Sequence, residues 1–222
     1  MNIRETKGTL SSIISEKKHI PVMIWGAPGI GKSQAVAQVA LEHKMDFIDL
    51  RLSLLNPVDL RGLPVVDREK NKAIWLTPEF LPSEGKGILF LDEINLAPFS
   101  VMAAGYQLIL DRRVGTYKLP DDWFIVAAGN RVEDNSNVTK FPAPLANRFV
   151  HLFAEHDIEE WTLWAVRNGI HEHILSFLGK FPQHLYKAPQ AGQQQFPSPR
   201  SWVTASDLYS LRQPIEYAVG EG

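Results

Sequence analysis

The run Gly26-Ala27-Pro28-Gly29-Ile30-Gly31-Lys32-Ser33 constrains this chain more than any other feature. It has the spacing G-x-x-x-x-G-K-[ST]. The apolar stretch Pro21–Trp25 precedes it, and a helical pattern over Lys32–His43 follows. Glycines at these positions let backbone N–H groups wrap an anion that Cβ atoms would keep out. The N-terminus of the following helix adds a partial positive charge aimed at the same place. The pattern predicts a phosphate site built from Gly26, Ala27, Pro28, Gly29, Ile30, Gly31, Lys32, Ser33 and Gln34, with Lys32 reaching the terminal phosphates. Ser33 is placed to offer its hydroxyl to Mg²⁺.

A loop of this kind needs a parallel sheet around it, and the rhythm of the chain supplies one. Near-continuous apolar runs at Ile20–Trp25, Asp46–Leu50, Gly87–Leu91, Trp123–Ala128 and Phe149–Phe153 read as strands covered on both faces. Helical patterns at Lys32–His43 and Ser100–Asp111 lie between them. The expectation is an α/β nucleotide-binding domain over residues 1–154. Beyond it, Asp157–Asn168, His171–Phe181 and Ser201–Arg212 read as helices, with a Pro- and Gln-rich loop at Gln183–Ser198. Residues 155–222 are expected to form a small helical lid. Asp59–Glu84 fits neither helix nor strand and is expected to be a surface insertion. Met1–Lys18 alternates polar and apolar residues and has no signal-peptide core.

Two strand ends carry chemistry. Gly87–Leu91 runs into Asp92-Glu93. A desolvated carboxylate is costly unless it is paired or bound to a metal, so packing alone does not account for an apolar strand ending in two acids. Behind a phosphate loop, Asp92 is expected to order Mg²⁺ and Glu93 to polarise the attacking water. Trp123–Gly129 ends in Asn130, a neutral amide able to hold that water or touch the γ-phosphate.

These residues resemble the AAA+ ATPases, and within them the MoxR family. The resemblance rests on Gly26–Ser33, on Ile88–Glu93 followed by Ile94-Asn95, on Ala128-Gly129-Asn130, on Pro144-Leu145-Ala146-Asn147-Arg148-Phe149 and on Pro197-Ser198-Pro199-Arg200-Ser201-Trp202. It implies that Arg148 is the arginine finger that completes a neighbouring subunit's ATP site. It also implies that Arg200 reaches the γ-phosphate from the lid. An insert of the family would fall within Asp59–Pro82, and Arg112–Leu119 is similar to its short hairpin, whose charges Arg112, Arg113 and Lys118 would face a client or a central pore. Family members continue past a stretch similar to Tyr217–Gly222, so the lid is expected to be cut short here or the natural chain to be longer.

Composition closes off other chemistries. The chain of 222 residues has no cysteine, which removes disulfide scaffolds, thiolate metal sites and a Cys nucleophile. Twenty-three basic and 25 acidic side chains give a net charge of −2. The pI near 6.4 argues against a nucleic-acid track. No run approaches a membrane span, so the cytoplasm is the expected location. His171 and His173, at i,i+2 on a helix, are expected to face apart and not to bind metal. The implied activity is hydrolysis of ATP with Mg²⁺ by a homo-oligomer, expected to be a hexameric ring remodelling a protein client, beside a partner carrying a von Willebrand A domain. The alternatives are a nucleic-acid motor and a nucleotide-regulated binding module that hydrolyses poorly.

Overall fold

The computed structural model describes residues 1–69, 71–131, 143–190 and 193–220, the Pro144 side chain apart. Five strands form one parallel sheet: β1 Val22–Trp25, β2 Asp46–Arg51, β5 Gly87–Asp92, β8 Trp123–Gly129 and β9 Val150–Phe153. Their order is β2-β5-β8-β1-β9, and every neighbouring pair is parallel. The expected strands are all present, within two residues at each end.

Alternation along the central strands sends side chains to two separate cores. Leu89 and Leu91 of β5, and Trp123, Ile125 and Ala127 of β8, pack with α4 (Phe99–Asp111) through Val101, Met102, Leu108 and Ile109. Ile88, Phe90, Phe124, Val126 and Ala128 turn the other way. They meet α2 (Lys32–Glu42) through Val36, Val39 and Ala40, and α1 (Ile3–Ser15) through Leu10 and Ile14. Burial on both faces explains why these strands read as continuous apolar runs.

Helix α1 was not legible in the alternating pattern of residues 1–18. A capping box fixes its start: the Asn2 side chain accepts from Glu5 N at 2.9 Å, and Asn2 N donates to Glu5 at 3.0 Å. Thr6, Leu10 and Ile14, four apart, form its buried stripe. Met1 is tied to the end of β9, its ammonium donating to Phe153 O and its carbonyl accepting from Glu155 N.

Asp59–Glu84 is not irregular. After the short helix α3 (Pro57–Arg61), β3 (Leu63–Asp67) and β4 (Lys72–Leu76) pair as an antiparallel hairpin. Its apolar residues stay largely outside the cores, Val66 being 76% exposed, so period-two burial gave no signal to read. The second hairpin, β6 (Arg113–Val114) with β7 (Tyr117–Lys118), lies where expected.

From Asp157 onward the chain is helical: α6 (Ile158–Arg167), α7 (Glu172–Lys180), α8 (Pro199–Ser210) and α9 (Glu216–Val219), after α5 (Ala143–Ala146). Trp161, Ala165, Ile174, Leu178, Leu185, Trp202 and Ala205 make a third core of their own. Asp157 caps α6 as its position suggested, accepting from Glu160 N. Helix α8 begins two residues earlier than its pattern predicts. Ser198 caps it, accepting from Ser201 N at 3.1 Å, and Pro199 occupies the first turn, where a missing N–H costs nothing. Arg200 therefore stands on the first turn of a helix, not in a loop.

Candidate active site

Parallel strands bring their C-terminal ends to one edge, and three of those ends meet around the Gly26–Ser33 loop. The loop leaves β1 at Gly26, whose N–H donates to Gly129 O at the end of β8. Two glycines leave no room for a side chain. A Cβ at Gly26 would lie 2.6 Å from Ala154 O and from Ile30 Cδ1. One at Gly29, where φ is +80°, would lie 2.8 Å from Ser198 Oγ. Gly31 is required for its backbone, φ +98°, as the residue that opens α2.

Lys32 is buried, and its ammonium points back into the loop. It donates to Gly26 O at 2.7 Å, Ala27 O at 2.9 Å and Asn130 Oδ1 at 3.1 Å. Lys32 and Asn130, 98 positions apart, are thus in direct contact. Ser33 follows at the start of α2, half-buried.

Asp92 and Glu93 stand at the end of β5, which pairs with β8. Burial pushes the Asp92 carboxyl up, opposed by the hydrogen bond from Glu93 N at 2.9 Å and by Lys32, and reinforced by Asp49 and Glu93. Asp49 is also raised, chiefly by burial, with Arg51 opposing and Glu93 adding. Glu93 adopts φ 54°, a left-handed conformation uncommon for a side chain of this size. Its Oε2 accepts from Ser53 Oγ at 2.6 Å.

The donor set fits a metal-complexed polyphosphate. A cationic cradle of ammonium, backbone N–H groups and helix N-terminus lies against a pair of carboxylates and a hydroxyl, the hard oxygen ligands that Mg²⁺ prefers. Among the described residues no three His, Asp or Glu side chains gather as a ligand set, so such an ion would draw most of its ligands from phosphate and water.

The two arginines are placed differently. Arg200 N donates to Gly29 O at 3.0 Å, docking α8 on the loop. Arg200 also lines a cavity of about 580 Å³ with Gly29, Gly31, Gln34 and residues of α1 and α6, among them Lys7, Glu160 and Trp164. Arg148 stands exposed just before β9, away from the others. Val150 pairs with Val22, at the far end of β1 from the loop. The length of β1, about 10 Å at ~3.3 Å per residue, therefore separates Arg148 from its own chain's loop.

Sequence reasoning missed several neighbours of this edge. Ser53 lies in a short 3-10 turn (Leu52–Leu54) after β2, and nothing in the pattern marked it. Asn95 was named in the motif that follows the acids but given no role, and its Nδ2 donates to Asn130 O at 2.7 Å. Arg112 was grouped with the hairpin charges, but its guanidinium donates to Pro120 O and Trp123 O at 2.7 and 2.8 Å, beneath the hairpin. His171 and His173 do not face apart. His171 is the cap before α7, outside the helix, and the two rings stack 5.2 Å apart beside Tyr209.

Comparison with known proteins places this geometry. No protein-family model matches the chain. A curated relative, Midasin of Giardia intestinalis, is 26% identical over 171 residues, covering 71% of this chain and 4% of Midasin. Among solved structures, a candidate ATPase from Cytophaga hutchinsonii superposes with a TM-score of 0.54 at 22% identity, over 75% of this chain and 51% of that one. RuvB of Thermotoga maritima gives a TM-score of 0.59 at 15% identity, over 94% and 63% of the two chains. NtrX of Brucella abortus gives 0.56 at 14% identity, over 96% and 51%. The chain thus spans a small fraction of Midasin and about half to just under two thirds of these structures. The fold is that of the AAA+ P-loop NTPases, a parallel sheet flanked by helices.

Proposed function

We propose that this chain is a MoxR-like AAA+ ATPase that hydrolyses ATP with Mg²⁺. The contact between Lys32 Nζ and Asn130 Oδ1 carries the reading, because it joins the phosphate loop to the polar end of a third strand. In this reading Gly26–Gln34 wrap the phosphates, and Lys32 exchanges its bonds to Gly26 O and Ala27 O for phosphate oxygens. Mg²⁺, when bound between Ser33 and Asp92, supplies charge neutralisation at the β- and γ-phosphates. Glu93 orients the attacking water and accepts its proton, and Asn130 holds that water in line. Arg200 contributes positive charge from the lid and Arg148 contributes it to a neighbouring subunit's site. The division into a nucleotide-binding domain, 1–154, and a lid, 155–222, belongs to the same reading, since the lid docks on the loop through one backbone bond from Arg200.

The cellular work follows from the MoxR-like motifs: a cytoplasmic homo-oligomer, a hexameric ring, remodelling a protein client beside a von Willebrand A domain partner. Among the described residues no helix is long and apolar enough to cross a membrane. Binding of a fluorescent ATP analogue, measured beside phosphate release, tests the activity. Lys32→Ala is expected to lose nucleotide binding, whereas Glu93→Gln is expected to keep it and lose turnover. Wild-type turnover in Glu93→Gln would remove Glu93 from the reaction.

A further inference from the structure

We infer that Asn95 is a positioning residue that acts through Asn130. The inference rests on the ATPase reading and adds a residue to it. Asn95 lies in the 3-10 turn Ile94–Leu96, two positions past Glu93, and is 2% exposed. Its Nδ2 donates to the main-chain oxygen of Asn130 at 2.7 Å, while the Asn130 side chain accepts from Lys32. One side chain thereby fixes the backbone of the residue whose amide faces the phosphate loop. The turn that carries Glu93 and the strand end that carries Asn130 are joined through it.

The fit on the other side is equally tight. Asn95 Oδ1 lies over the last residue of β8, so that a Cβ at Gly129 would stand 2.5 Å from it. That oxygen is buried with no hydrogen-bond partner among the described residues. A buried acceptor left without a partner destabilises a fold. A leucine would fill a core position without that cost, so packing does not account for an asparagine here. Fixing Asn130 does, because a displacement of ~1 Å in a group that orients a reactant costs on the order of 100-fold in rate. A merely structural Asn95 would serve only to satisfy one strand-end carbonyl, and its loss would act equally whatever residue stood at 130.

A double-mutant cycle in the full chain separates the two. Steady-state turnover of MgATP, binding of a fluorescent ATP analogue and the thermal midpoint are measured for wild type, Asn95→Ala, Asn130→Ala and the double variant. Asn95→Ser runs through the same cycle in case the alanine variant fails to fold. Asn95→Ala is expected to lower kcat about 10–100-fold, with KM and analogue binding changed less than ~2-fold. In the Asn130→Ala background the same substitution is expected to change kcat less than ~2-fold, because the residue it acts through is gone. Equal losses in both backgrounds, or an undiminished kcat in Asn95→Ala and Asn95→Ser, would overturn the inference while leaving the ATPase reading intact. A wild type that binds the analogue without turnover, or does not bind it, would overturn both.

Discussion

The Ser53 hydroxyl donates to Glu93 Oε2 at 2.6 Å, a hydrogen bond between the turns that follow two adjacent strands. Register creates it. Arg51 of β2 pairs with Asp92 of β5, so the residues just beyond each strand emerge side by side. The left-handed backbone at Glu93 then turns its carboxylate toward β2 rather than along its own strand. One oxygen of the group proposed to receive the water's proton is thus already occupied.

A carboxylate with one oxygen held by a hydroxyl is less free to move toward a water. Ser53→Ala is expected to raise basal ATP turnover by roughly 2–5-fold, the equivalent of about 0.5–1 kcal/mol of barrier. Affinity for a fluorescent ATP analogue should not change, because the Ser53 hydroxyl engages Glu93, which acts on the water and not on the bound nucleotide. A fall in turnover would mean that Ser53 holds Glu93 in its working position instead of restraining it.

Asp92 titrates above the ordinary carboxylate value of 3.8, principally because it is buried. The fold therefore favours its protonated form. That contribution to stability is fully present below the unfolded value and is lost as pH rises through the folded value, above which burying the carboxylate is a net cost. Asp92→Asn removes the charge and keeps the shape. In the nucleotide-free protein it is expected to raise the thermal midpoint at pH 7 by roughly 2–4 °C, the response of a chain this size to ~1 kcal/mol. The gap to wild type should shrink as pH falls toward 4. The same variant should lose Mg²⁺-dependent turnover, so that stability and activity move in opposite directions.

What the sequence revealed and what it hid follow from range. The Gly26–Ser33 loop and the acids at the end of β5 are local patterns whose chemistry needs fixed spacing, and the apolar runs around them announce buried parallel strands. Asn130 stood out because it closes an apolar strand at the same edge of the sheet as the loop and the acids. Ser53 did not, and Asn95 stood only as part of the motif after the acids with no role of its own, because their partners are chosen by strand register and by a turn, neither of which appears in composition. Helix α1 was hidden by polar residues interrupting its buried stripe of Thr6, Leu10 and Ile14, and only Asn2 and Glu5 mark its start. At α8 the prolines beside Ser198 suggested a loop, although Pro199 there begins a helix.

The hairpin charges now divide into two kinds. Arg112 supplies donors to two carbonyls under the hairpin, and burial lowers its pKa from the usual guanidinium value. Arg112→Ala removes a charged donor from each carbonyl, although Pro120 O still accepts from Trp123 N, a loss of about 1–3 kcal/mol. The thermal midpoint should fall by roughly 2–12 °C. Arg113 is exposed, and Lys118 meets Asp121 at 3.3 Å on the surface, a pair worth little. Arg113→Ala with Lys118→Ala should shift the midpoint by less than ~2 °C and leave basal turnover intact. Should that pair lose basal turnover at unchanged ATP affinity, one of the two belongs in the catalytic site and Arg148 loses its place there.

Arg148 cannot serve the loop of its own chain as the sheet stands. It precedes β9, whose first residue pairs with Val22 at the opposite end of β1 from Gly26. A guanidinium that is exposed there, and proposed to neutralise charge on a transferring phosphoryl group, must do so in a second copy. Two outcomes follow. Specific activity should rise with protein concentration until subunits associate, because an isolated chain lacks part of its catalytic charge. Arg148→Ala and Lys32→Ala subunits, each inactive alone, should recover activity when mixed. Some interfaces then pair an intact loop with an intact arginine. Random mixing at equal ratio gives that pairing at about one interface in four, so recovery should approach ~25% of wild type if sites act independently. If variants shown to co-assemble recover nothing, Arg148 does not act across the subunit boundary.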